Sequence, residues 1–234
     1  MKSTDQQLRD RGMAAAAEIE RLSHKPAAEL LELLAAREAH IRSAAAINLQ
    51  KDADWASEKL LLQLSVETCL YTRIAICESL EQGSVTAARN MIRYLGCIGS
   101  NQHQVLPQKV SAKKCFPLPR DIVARTLGRM DESVFPVLLS GLAGEYGGSI
   151  YELLDAIGYM VYHNPVLGTE INCEQLIKRS SHAVSEERLA LWKLIICLSV
   201  FPCDRAREFL HRYAADSSIL GLEARRSLQM INRK

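Results

Sequence analysis

Between residues 95 and 130 the chain gathers side chains that can bind. Asn101, Gln102 and His103 stand in three successive positions, offering amide donors, amide acceptors and an imidazole. Such a cluster suits a partner's backbone or a small polar ligand. On the structural reading it serves the loop's own peptide groups instead. Lys109, Lys113, Lys114 and Arg120 follow, with positive charge that fits phosphate or an acidic protein surface, or simply a solvated loop. Asp121, Arg125, Asp155 and Lys193 complete the candidate binding set.

Motifs for other chemistry are thin. Cys97, His103 and Cys115 have C-x5-H-x11-C spacing, which matches no standard zinc motif. Gly144, Gly147 and Gly148 mark a turn, since no strand precedes them and no Gly-Lys-Ser/Thr follows. Spacing assembles no Ser-His-Asp or Cys-His constellation. No catalytic residue, metal ligand or cofactor is assigned.

The elements that must position these residues read as helices. An opening helix is expected over Thr4 to Leu22, capped by Ser3, Thr4 or Asp5. Pro26 begins a second, and Ile41 to Leu49 forms a third. The third recurs. Arg42 and Leu49 are seven apart, as are Arg73 and Leu80, Arg120 and Leu127, Ile150 and Ile157, Arg188 and Ile195, and Gly221 and Leu228. The starts lie 31, 47, 30, 38 and 33 residues apart, periods that mark a helical solenoid. The 47-residue interval holds the excess length in one place, the connection 97–118. A helix begun near Pro119 is expected to follow it, because proline suits a first turn.

Counting each recurring helix from zero, positions three, four and seven are mostly apolar and form the expected core stripe. Examples are Ala45, Ala46, Leu49 and Leu191, Trp192, Ile195. Position five holds Ile47, Glu78, Arg125, Asp155, Lys193 and Arg226. This column is expected on the face away from the stripe. Two readings of it stand: ion pairs between neighbouring repeats, or a polar ligand surface of Arg125, Asp155 and Lys193 extended by Asp121, Tyr151 and Glu152.

The segment Ile41-Arg42-Ser43-Ala44-Ala45-Ala46-Ile47-Asn48-Leu49 resembles the second helix of the short bacterial and archaeal HEAT repeats. The segments ending at Leu80 and Leu127 match less well, and the copies at 150 and 221 lack the arginine. The resemblance implies an all-α, right-handed α-solenoid of about six HEAT-like helical pairs. Residues 1–25 would be an N-terminal helical cap and 26–234 the array. Such arrays mostly serve as binding scaffolds; a few relatives excise alkylated bases from DNA or act on bilins, and no motif here singles out either.

Composition narrows the setting. The chain has 234 residues, 48% hydrophobic and 24% charged, with aromatics at only 6%, which favours helix packing over a β-sandwich. A formal charge of +2 does not describe a polycation built to coat nucleic acid. Seven cysteines without C-x-x-C spacing, and no apolar signal core, point to the cytosol with reduced thiols. No run approaches the roughly 18 apolar residues that a membrane helix needs. The reading is a non-catalytic scaffold or adaptor for another protein, using the concave face of the array and the 97–118 connection. A base-excision enzyme and a tetrapyrrole or small-molecule lyase or chaperone are the alternatives.

Overall fold

The computed structural model describes residues 4–233. Among these, fourteen helices and no strand form two compact units, one ending at Tyr94 and the other beginning at Leu95. No helix among the described residues is long and apolar enough to cross a membrane.

The first unit holds α1 (Asp5–Asp10), α2 (Ala16–Ser23), α3 (Ala27–Leu33), α4 (Ala39–Asn48), α5 (Ala53–Val66), α6 (Leu70–Glu81) and α7 (Val85–Ile92). The expected opening helix is therefore two. Thr4 starts the first with a capping box: its hydroxyl accepts the Gln7 N–H at 3.2 Å, and Gln7 Oε1 accepts the Thr4 N–H at 2.9 Å. Ser3 lies outside the described residues. The break falls at Gly12, whose φ of 94° is left-handed and whose Cα sits against Thr72, leaving no room for a Cβ. Beside it the Arg11 carbonyl accepts the Tyr71 N–H at 3.0 Å, pinning the reversal to α6.

Alanines 44, 45 and 46, all fully buried, let α4 and α6 pack closely. Polar ties cross the same contact. Ser43 donates to Thr72 Oγ1 at 2.9 Å, and Ser79 donates to the Ala46 carbonyl at 2.6 Å. Next to them α5 packs on α7.

The second unit begins with a 27-residue strap, 95–121, that contains no helix. Then come α8 (Ile122–Leu127), α9 (Phe135–Gly141), α10 (Ile150–His163), α11 (Glu170–Glu186), α12 (Arg188–Leu198), α13 (Asp204–Ala214) and α14 (Ile219–Ile231). The packing runs α8 on α10, α10 on α12 and α12 on α14, with α11 on α13. Two helices form the centre. In α12 every residue from Leu189 to Leu198 is buried, as is every residue from Glu152 to Val161 in α10. Helices apolar on all sides are core helices, so the charges they carry stand out.

The apolar stripe falls where the spacing predicts. Ala45, Ala46, Leu49, Ile76, Cys77, Leu80, and their counterparts in α8, α10 and α12 are all buried. The helix expected from Pro119 starts later. Asp121 is its N-cap, accepting the Ala124 N–H at 2.8 Å, and Pro119 lies outside the helix.

Candidate functional site

The strap is tied down at four places, each by residues that suit a different physical task. Its two ends meet at Asp121. This carboxylate is fully buried and accepts the Gly96 N–H at 3.2 Å and Gln102 Nε2 at 2.8 Å in addition to capping α8. Gln102 also donates to the Ile98 carbonyl at 3.0 Å. The middle rests on α12, where His103 meets the Trp192 ring edge-on with centroids 4.9 Å apart. Near its C-terminal end Phe116 is buried against Gly158 of α10 and stacks on Tyr162 at 6.2 Å. A Cβ at position 158 would collide with the Phe116 ring, so this mid-helix glycine makes the seat for it. Arg226 of α14 adds hydrogen bonds to the Lys113 carbonyl, at 2.9 and 3.2 Å, and to the Cys115 carbonyl at 3.3 Å.

Between strap and helices lies a cavity of about 230 Å³. The helices contribute Asp155, Trp192, Lys193 and Ile196 to its wall. The strap contributes His103, Lys109, Lys113 and Arg120 together with Pro107 and Leu118. Of the sequence candidates, His103, Arg120, Asp155 and Lys193 therefore meet in one place. Gln102 and Asp121 lie in the strap's own hydrogen-bond network. Asn101 is exposed, and Arg125 donates to the Pro119 carbonyl at 3.0 and 3.3 Å.

Lys193 is only 1% exposed, and its ammonium is hydrogen-bonded to Asp155 Oδ2. The charged column is thus covered here, with two of its neighbouring members paired. Glu152 Oε1 lies 3.8 Å from the same ammonium, beyond hydrogen-bonding range, and neither Glu152 oxygen has a hydrogen-bond partner. Two buried carboxylates thus share one cation. Burial, followed by the charges of Asp155 and Asp121, pushes Glu152 up to about 7, against the pull of Lys193. Burial likewise raises Asp155 above the usual carboxylate range, although Lys193 opposes it. On the other wall burial, with Lys193 and Arg120, lowers His103 to about 4, so its imidazole is neutral at neutral pH. His103 Nδ1 and Trp192 Nε1 are buried without a hydrogen-bond partner.

No family model, curated protein or solved structure matches the chain.

The site's own residues therefore carry the argument. Among the described residues no group of three His, Cys, Asp or Glu side chains is arranged to hold a metal ion, and Cys97 and Cys115 are exposed. The arrangement comprises exposed cations on the strap, an indole and aliphatic wall, and buried polar atoms without hydrogen-bond partners. Sequence reasoning placed Trp192 in the core stripe and did not assign it to the site. Phe116, Gly158 and Arg226 were not singled out as latches. Of these, only the lone glycine inside a helical pattern carries a local signal of close approach.

Proposed function

We propose that the chain is a non-catalytic protein-binding scaffold or adaptor whose recognition element in the second unit is the strap. The observation that carries this reading is the strap's charge and exposure. From Cys97 to Arg120 there is no acidic residue, and all four basic residues, Lys109, Lys113, Lys114 and Arg120, are exposed. The backbone beneath them is held by Asp121, Phe116 and Arg226, so the cations are presented from an ordered base. A cationic, preorganised surface of this kind matches an acidic segment of a partner protein and speeds its capture.

The helices then serve as a right-handed HEAT-like array of about six pairs. The buried stripe at positions three, four and seven supports this, as does the second-neighbour packing of α4 on α6, α10 on α12 and α12 on α14. The seven free thiols suit the reducing cytoplasm.

The test is affinity capture from native cell extract, with and without nuclease. A protein should be retained in stoichiometric amount after nuclease, be released by salt, and be lost when Lys109, Lys113 and Lys114 are replaced by glutamate. Recovery of nucleic acid alone, abolished by nuclease, would contradict the adaptor reading and favour the base-excision alternative.

A further inference from the structure

We propose that the cavity beneath the strap is a binding site for a small phosphomonoester with a compact apolar body. This inference goes beyond the adaptor reading and does not rest on it, because it concerns a small-molecule occupant of the cavity and not a protein partner, although both use Lys109, Lys113 and Arg120 of the strap.

The charge of the wall selects the head group. Four basic side chains and one carboxylate line the cavity. Asp155 is engaged with Lys193, whereas Lys109, Lys113 and Arg120 have no carboxylate within ion-pair distance among the described residues. Three cations on the strap side of a small space, of which Arg120 alone also feels the Glu152 and Asp155 carboxylates, suit a dianion better than a carboxylate's single charge. An arginine among them supplies the planar fork that phosphate oxygens accept.

The rest of the wall selects the body. Trp192 and Ile196 from α12, with Pro107 and Leu118 from the strap, form an apolar surface suited to a ring. Trp192 is only 5% exposed, and its Nε1, which can only donate, has no hydrogen-bond partner. Size sets the upper limit: about 230 Å³ falls below the range of sites that enclose drug-sized ligands, so a single ring with its phosphate fits better than a nucleotide.

The chain has two tryptophans, and Trp55 is exposed and lies in the other unit. Replacing it, Trp55→Phe, leaves Trp192 as the only indole and as a direct reporter. Phenyl phosphate, inorganic phosphate and benzyl alcohol are then titrated separately, with calorimetry as a second readout. The expected result is saturable binding of phenyl phosphate, with either half alone at least about tenfold weaker. Adding Lys109→Glu and Arg120→Glu, both at exposed positions, should weaken phenyl phosphate by about a hundredfold while the circular dichroism stays unchanged. A response that never saturates at millimolar phenyl phosphate overturns the proposal. So does equal affinity in the doubly reversed protein, and equal affinity for inorganic phosphate overturns the apolar body. If phosphomonoester binding is absent while partner capture persists, this inference falls and the adaptor reading stands.

Discussion

Arg42 and Glu67 in the first unit meet as a closed fork, whereas Lys193 in the second meets Asp155 with Glu152 left over. Glu67 is 5% exposed and accepts Arg42 Nε at 2.7 Å and Nη2 at 2.8 Å. Gln63 and the Thr68 and Cys69 N–H groups also donate to it, and Arg42 Nη1 donates to the Ala36 and Arg37 carbonyls. Burial alone would raise Glu67, but the hydrogen bonds from Arg42, Cys69 and Gln63 outweigh it and bring the carboxyl down to about 2. In the second unit the same kind of burial is left incomplete. Glu152 has no hydrogen-bond partner, and the cluster adjoins a cavity rather than solid packing. A buried ion pair whose valences are all met is a structural fastening. One with a surplus carboxylate beside a cavity leaves part of its burial cost unmet and is a candidate for a functional site.

Breaking each arrangement should give different results. The largest effect is expected from Arg42→Met, which strands a buried carboxylate and two carbonyls of the connection between α3 and α4. Urea unfolding should show a loss of about 3–5 kcal/mol. Next is Phe116→Ala, which removes the ring seated on Gly158. It should cost about 3 kcal/mol, felt locally as strap opening, so limited proteolysis within 97–118 should accelerate while the helices persist.

The sharpest contrast is in pH dependence. Glu67 has a folded value near 2, below its ordinary 4.5, so its contribution to stability is complete above 4.5 and is lost as the pH falls toward 2. Glu152 has a folded value near 7, above its ordinary 4.5. The folded protein therefore keeps a proton that the unfolded chain releases, and stability falls as the pH rises from 4.5 through 7. Glu67→Gln should accordingly cost about 2–3 kcal/mol at pH 7 and little near pH 2. Glu152→Gln should stabilise the protein by about 1–3 kcal/mol at pH 8 and leave it nearly unchanged at pH 4. Thermal unfolding across pH checks both, and parallel slopes for the two variants would erase the distinction between the units.

Much of the helical framework was legible because helix burial repeats locally. Spacings of three, four and seven identify Ala45, Ala46 and Leu49, and likewise Leu153, Leu154 and Ile157, without knowledge of their partners. The strap was legible as the place where the repeat interval stretches to 47 residues. What was hidden depends on contacts distant in sequence. Gly12 breaks the opening helix where Thr72 lies against it, and Lys193 is buried beside a cavity that residues 103–120 also line. A charged residue between Trp192 and Leu194 reads as solvent-facing, since charges seldom enter a core unpaired. Only the fold shows that its partner is Asp155. The Phe116 seat is hidden for the same reason: Gly158 looks like a weak point of α10 until the ring that fills it is known.

The central claim is that recognition belongs to the strap of the second unit and not to charge in general. It is tested most directly by moving the same charge reversal between the units. One protein carries Lys109→Glu, Lys113→Glu and Lys114→Glu; the other carries Arg37→Glu, Lys51→Glu and Lys59→Glu at exposed positions of the first unit. Each is used for affinity capture from nuclease-treated native extract beside the unaltered protein. The partner should be lost from the strap variant and retained by the other, with both proteins folded. Equal retention by both, or loss from the first-unit variant alone, would contradict it.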